Sequence, residues 1–280
     1  AGKSIDINAN ITTNNGALTL SANDTSAINT GITAGTASID TTGATITTGT
    51  GNLSATVATS GYHTSGNITL AAISTTGAVT LNTPGTASVV NAVALDLGAS
   101  TVGGNLVATA TTGNITDSGA LAITGTSNFI TGATGSNIVL DSSGNAFTSA
   151  VTMKADTSGN EAFGNITFVD SASVKLHSSA STGGDLFIDA GTDGAVGGNL
   201  SITATTGDIT QGAALAVTGT STFITGATGS NIILDHADNA FSSWVKMKAD
   251  TSGNEAFGNI TFVDSGAVVI QTSAATDADG

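Results

Sequence analysis

Residues 103–129 read GGNLVATATTGNITDSGALAITGTSNF, and residues 197–223 read GGNLSITATTGDITQGAALAVTGTSTF. The offset between them, 94 positions, also relates MKADTSGNEAFGNITFVDS at 153–171 to an unchanged copy at 247–265, and FITGATGSNI at 129–138 to its copy at 223–232. A unit this long exceeds one turn of any common solenoid, so it must hold several coils. Inside it a smaller pattern recurs: glycine, then Asn or Asp, then a short apolar alternation. Gly51-Asn52-Leu53, Gly66-Asn67-Ile68, Gly104-Asn105-Leu106, Gly164-Asn165-Ile166 and Gly207-Asp208-Ile209 are examples. Glycine and asparagine tolerate the positive φ of a tight corner, and the subsequent alternation puts every second side chain inward.

This turn-then-strand unit predicts short strands at 53–57, 68–70, 79–81, 93–97 and 174–176. The irregular spacing between them favours three-sided coils over regular hairpins, and no window carries the i, i+3, i+4, i+7 apolar spacing of a helix. The expected fold is all-β, a parallel β-helix running as one continuous solenoid over residues 1–280. Coils of roughly 20 to 24 residues would give on the order of 12 to 14 of them and a rod of about 60 Å. Within it, residues 1–101 form a less charged portion, 102–195 the first copy of the long repeat and 196–280 a truncated second copy. Seventeen of the 20 acidic residues fall from Asp96 onward, which supports that boundary without requiring a separate fold.

Composition explains why a solenoid suits this chain. Only 4% of its 280 residues are aromatic and 9% charged, whereas 37 are glycine. Aromatic rings bury the most area per side chain, so a chain short of them must fill its interior with Ile, Leu, Val and Ala. A thin core shared between stacked coils needs no more, while outward Thr, Ser and Asn can form hydrogen-bonded ladders. Disordered chains combine low hydrophobicity with high charge, but here 39% of residues are hydrophobic and mean hydropathy is +0.26. A formal charge of -15, with five Lys and no Arg, excludes nucleic-acid binding through phosphate and argues against attraction to anionic membranes. No apolar run is long enough for a membrane-spanning helix. The strand pattern is already running at Ile5 and Ile7, so the sequence reads as an excerpt from a longer chain. Cysteine is absent, which removes disulfides and thiolate metal sites.

The phrases at 103–129 and 197–223 resemble the filamentous haemagglutinin type of two-partner-secreted bacterial exoprotein, and the likeness extends over most of the chain. That resemblance implies a right-handed parallel β-helix, an extracellular place at the bacterial cell surface and export through an outer-membrane β-barrel partner. It further implies roles in adhesion, biofilm or presentation of a distal domain. No amino-terminal secretion domain of the family is recognisable.

Several groups of residues invite a functional reading. The segment 154–161, repeated at 248–255, holds the only two Glu residues, and Asp156 with Glu161, or Asp250 with Glu255, could contribute oxygen ligands to Ca²⁺. It lacks both EF-hand and nonapeptide spacing, so a solvated turn is the simpler account. Asp141, Asp170, Asp185, Asp189, Asp193, Asp208 and Asp235 could converge in a carbohydrate-active β-helix enzyme, a lyase or hydrolase. A lyase would need a basic group that this arginine-free chain lacks, and turn residues account for the acids. His63, His177 and His236 have neither metal nor triad spacing. Tyr62 and Trp244 offer stacking faces for a sugar or receptor, but Trp244 is Ala150 in the first copy. Thr-Thr pairs at 41–42, 47–48, 75–76, 111–112 and 205–206 raise an ice-binding alternative without forming a sustained Thr-x-Thr file. The expected function is therefore a structural and adhesive shaft, not an enzyme, with no catalytic, cofactor or metal residue assigned. Its expected partners are other copies of itself through end-to-end or lateral contacts, a receptor or glycan, and the secretion partner.

Overall fold

A computed structural model describes residues 4–23, 36–59, 65–155, 157, 164–177, 185–188, 195–251 and 258–271. Every described strand pairing is parallel, and nearly all join one turn of the chain to the next; Asp185–Ile188 departs from this order, lying between Val151–Lys154 and Val174–His177 in its sheet. Alternation sets the strands. Leu53–Val57, Val79–Thr83 and Leu200–Ala204 each bury their first, third and fifth residues and leave the others partly exposed. Strand geometry turns this period of two into one wet and one dry face.

The strands gather into sheets of 14, 13 and three. In the 13-stranded sheet, successive rungs begin at or near Leu18, Leu53, Val79, Leu95, Ile115, Ile138, Ile166, Leu200, Ser221, Val245 and Ile270. Eleven layers at ~4.8 Å make a stack of about 50 Å. The number of layers is set by uneven coil length. Ile68, Ala87 and Leu106 succeed one another at 19-residue intervals, and from Val79 to Leu97 the chain uses only 18. From Ile5 to Ile39 the chain uses 34 residues for one rung, and from Ile166 to Leu200 again 34. Part of the second extra length, Asp185–Ile188, enters the 14-stranded sheet as an added strand.

The path around the axis also changes. Ile68–Thr75 is one long strand with a register shift between Leu70 and Ile73, and it pairs with both Ile39–Asp40 and Ile46–Gly49 of the coil before. Val79–Thr83 pairs in turn with two strands of the next coil, Leu95–Leu97 and Ser100–Val102. Bends are thus gained or lost at single coils while the ladder continues.

The long repeat does not close on a whole number of coils. Leu106–Ala110, Ser127–Thr131 and Val151–Lys154 belong to the 14-stranded sheet, but their counterparts Leu200–Ala204, Ser221–Thr225 and Val245–Lys248 belong to the 13-stranded one. Conversely, Ile115–Asp117 and Ile138–Leu140 lie in the 13-stranded sheet and their counterparts Ile209–Gln211 and Ile232–Leu234 in the 14-stranded one. Near-identical sequence is therefore presented on different sides of the stack.

The core is a narrow aliphatic column, with Ile39, Leu53, Leu70, Leu81, Leu95 and Ile115 fully or almost fully buried. Phenylalanine contributes more than the sequence suggests. Phe129, Phe147 and Phe168 meet inside the first copy with ring centroids 6.1 and 5.2 Å apart, and Phe223, Phe241 and Phe262 repeat the arrangement at 6.1 and 5.3 Å. Such edge-to-face and tilted pairs add about 0.5–1.5 kcal/mol each beyond burial. Ser127 and its counterpart Ser221 also point inward, 2% and 1% exposed, and neither hydroxyl has a hydrogen-bond partner.

Most corner glycines do a different job from the expected one. Gly113 and Gly207 have φ of 90° and 86°, but Gly51, Gly66, Gly104, Gly164 and Gly258 are not in the positive-φ region. Their missing Cβ matters because main chain from the adjacent coil occupies that space. A Cβ on Gly104 would lie 2.9 Å from the carbonyl atoms of Gly85, and one on Gly164 would overlap the Ser136 carbonyl oxygen. Gly135 is the contrast, with φ +71° and open space around the missing Cβ.

Two sets of substitutions test this packing. Gly164→Ala is expected to cost about 3 kcal/mol or more, because main chain must move. Gly135→Ala should cost only about 1–2 kcal/mol of left-handed strain, and equal losses in chemical denaturation would contradict the close-approach account. Ser127→Ala and Ser221→Ala should be neutral or stabilise by about 1 kcal/mol, since each removes a buried unpaired hydroxyl; a clear loss of thermal stability in either would show that the hydroxyl has a partner.

Candidate functional site

The chemistry of this chain is concentrated at its corners. After the corner glycine, the Asn side chain stays outside and its Oδ1 accepts the main-chain N–H at the same corner of the next coil. Asn137 N donates to Asn114 Oδ1 at 2.8 Å, Asn165 N to Asn137 at 2.7 Å, Asn199 N to Asn165 at 2.8 Å and Thr220 N to Asn199 at 2.8 Å. Four consecutive corner asparagines therefore form one ladder. Asp208, Asn231 and Asn259 form another, with bonds of 2.7 and 2.9 Å, which explains why the motif accepts Asp as well as Asn. Corner N–H groups lie where strand pairing lapses, and an unpaired donor is costly, so a side-chain acceptor from the coil below completes the pairing.

A second polar column lies inside another corner. Asp117 is 8% exposed; its Oδ1 accepts the Asp141 N–H at 2.8 Å and its Oδ2 accepts Asn145 Nδ2 at 2.7 Å and the Ser142 N–H at 3.3 Å. Asn145, fully buried, accepts the Leu121 N–H at 2.9 Å, and on the next coil Asp170 Oδ1 accepts the Phe147 N–H at 3.3 Å. The second copy builds the column with Gln211 in place of Asp117. Gln211 Nε2 donates to Asn239 Oδ1 at 2.6 Å, Asn239 Nδ2 donates to Gln211 Oε1 at 3.0 Å, and the Phe241 N–H reaches Asp264 at 3.0 Å. Burial pushes the carboxyls of Asp117 and Asp170 above the usual range, against the pull of these donors. At partly exposed Asp40 the bonds from Thr42 hold the carboxyl below it.

The carboxylates considered as catalytic candidates are dispersed among these tasks. Asp170 is buried in the inner column, Asp208 belongs to an outer ladder, and Asp141 and Asp235 are exposed. Among the described residues, no three His, Cys, Asp or Glu side chains gather as a metal site. Asp156, Glu161, Glu255, Asp189, Asp193, Tyr62 and His63 lie outside the described residues, as do the side chains of Asp185 and His177. Asp250 accepts the Gly229 N–H at 2.9 Å. His236 faces Asp238, with Nδ1 3.9 Å from a carboxylate oxygen, and Trp244 is half-buried at the start of a rung.

The threonine pairs also serve corners. Thr41, Thr48 and Thr75 are buried, and the hydroxyls of Thr48 and Thr75 both donate to the Gly51 carbonyl, at 2.7 and 3.0 Å. One outward file runs Thr116, Val139, Thr167, Ser201, Thr222, Lys246, so apolar and charged side chains interrupt the hydroxyls. Asp117 and the inner column were missed in the sequence. The signal available was the alignment of Asp117 with Gln211 and the invariance between copies of Asn145 with Asn239 and Asp170 with Asp264.

A repeat family described as repeats of unknown function (DUF5649) matches residues 84–154 and 183–248, and the two matches end at equivalent positions of the long repeat. No curated protein and no solved structure matches the chain. Among the described residues, no helix is long and apolar enough to cross a membrane.

The raised Asp117 carboxyl has a defined effect on stability. In the pH range above its unfolded value of 3.8, the unfolded chain ionises before the folded one, so the stability held at lower pH is lost as pH rises through the folded value. Asp117→Gln copies the second repeat and removes that loss. Its thermal midpoint should match the parent at about pH 3, exceed it increasingly as pH rises through the folded value of Asp117, and keep a constant lead above that; a pH-independent difference would refute the assignment.

Proposed function

We propose that this chain is a section of the shaft of a large secreted bacterial surface protein of the filamentous haemagglutinin type, structural and adhesive in role and extracellular in place. The observation carrying the reading is the unbroken parallel ladder from Leu18 to Ile270, in which the described polar corner side chains are largely used to bond one coil to the next. A spacer needs stiffness along its axis and resistance to local opening, and main-chain bonds parallel to the axis provide both. The commitment of Asp117 and Asp170 to main-chain donors favours a shaft over a carbohydrate-active enzyme, whose acids must face a cleft. The mixed outward file favours it over an ice-binding face.

Export through an outer-membrane β-barrel and contact with a receptor or glycan belong to the same proposal. So does self-association through end-to-end or lateral contacts. The test is direct. The purified chain should appear as short rods by electron microscopy, hold or build oligomers in sedimentation across salt concentrations, and bind cells or arrayed glycans without cleaving them. Release of reducing sugar from a polysaccharide would overturn the shaft in favour of a hydrolase, and absence of any cell or glycan binding would remove the adhesive role.

A further inference from the structure

The outer ladder calls for an Asn or Asp acceptor at the corner, but it leaves the next outward position free to vary. After Asn105, Asn137 and Asn231 that position, two residues on, holds Val107, Val139 and Ile233. After Asn10, Asn52, Asn67, Asn114 and Asn199 it holds Thr12, Ser54, Thr69, Thr116 and Ser201, and the residue between is Ile or Leu. Each of these five places an exposed Asn-x-Ser/Thr at the start of a strand, the pattern read by enzymes that attach sugar to asparagine.

The geometry fits the chemistry. Strand alternation turns the intervening side chain inward, with Leu53, Ile68, Ile115 and Leu200 no more than 1% exposed, so amide and hydroxyl share the outer side. Each of the five amides is anchored through Oδ1 alone: it accepts from Thr45, Ala78, Thr86, Asn137 or Thr220 at 2.8 to 3.0 Å. No described residue accepts a bond from the five Nδ2 groups. At Asn165 and Asn259, which also precede Ile and Thr, Nδ2 is instead engaged, donating to Asn137 Oδ1 at 2.9 Å and Asn231 Oδ1 at 3.3 Å.

We propose that Asn10, Asn52, Asn67, Asn114 and Asn199 are sites of N-linked glycosylation. The donor is a sugar activated as a diphosphate ester. The bond from its anomeric carbon to the diphosphate oxygen breaks, that carbon bonds to Nδ2, Nδ2 gives up one proton, and the diphosphate leaves with the bonding pair. Oδ1 keeps its bond to the next coil throughout, so the sugar adds to the rod without opening a rung. A surface with few charged side chains gains hydration and a steric barrier to proteases.

Peptide mapping by mass spectrometry of the chain isolated from its own producing cells tests this. Sugar-mass increments are expected on peptides bearing the five asparagines, with lower occupancy at Asn165 and Asn259 if transfer comes after folding and equal occupancy if it precedes folding. Thr116→Val, which installs the side chain found after Asn137, should abolish the increment at Asn114 while leaving thermal stability and the other four sites unchanged. Unmodified asparagine at all five positions would overturn the proposal, as would an increment at Asn114 that survives in Thr116→Val.

Discussion

The structure depends on one spacing, the ~4.8 Å between neighbouring coils, which must hold at the corners as well as along the strands. In the strands it is maintained by the parallel ladder itself. At a corner the main chain bends away from its partners, and two devices hold the distance. Glycine lets the backbones approach where a Cβ would collide, as at Gly104 over Gly85. An asparagine from the coil below supplies the acceptor that the bent chain no longer meets, as Asn137 does for Asn165. The glycine and asparagine content of the chain is a consequence of that spacing.

The same spacing divides the labour between inside and outside. Inside, a column only one coil wide cannot hold large side chains on every rung, so aliphatic residues prevail and phenylalanines occur as two trios. Each trio links adjacent coils: Phe129 and Phe147 lie within one turn and Phe168 on the next, and Phe223, Phe241 and Phe262 repeat this. The inner polar column of Asp117, Asn145 and Asp170 sits where a corner turns its donors inward. Charge there is costly, and the second copy performs the same bonding with the neutral Gln211. Among the described residues, the buried side-chain polar atoms left unpaired are the Ser127 and Ser221 hydroxyls and Asn128 Oδ1.

Much of this could be read from the sequence. The Gly-Asn pattern with alternation at 53–57 or 200–204 identifies parallel stacked strands, because the same side-chain order in every coil can align only if the coils run in the same direction. Three features could not be read. The role of Gly164 depends on the Ser136 carbonyl, 28 positions earlier, and nothing local distinguishes it from a glycine such as Gly135 whose φ is positive. The extra residues of the longest coils leave no periodic mark, so coil number is fixed by register and not by length. Asp117 looks like any turn aspartate, because its burial comes from coils on either side. Conversely, the acids suggested as a catalytic group were separable only once Asp170 was found inward and Asp208 on an outer ladder.

The rotation between repeat copies arises from the same geometry and bears on what the surface can do. If the long unit closed on whole coils, identical side chains would stack in files along one side, and a partner would meet a single stripe. Because Val151–Lys154 and Val245–Lys248 fall in different sheets, the second copy presents its outward residues around the axis from the first. The interior is unaffected: a ladder asks only that inward positions be apolar, and Leu200 pairs as well with Ile166 as Leu106 does with Ala87. Sequence duplication and spatial periodicity are thereby decoupled. A chain of this kind can lengthen by copying a unit of any length that begins and ends on a strand, and each copy turns the surface pattern further around the stack without penalty to the core.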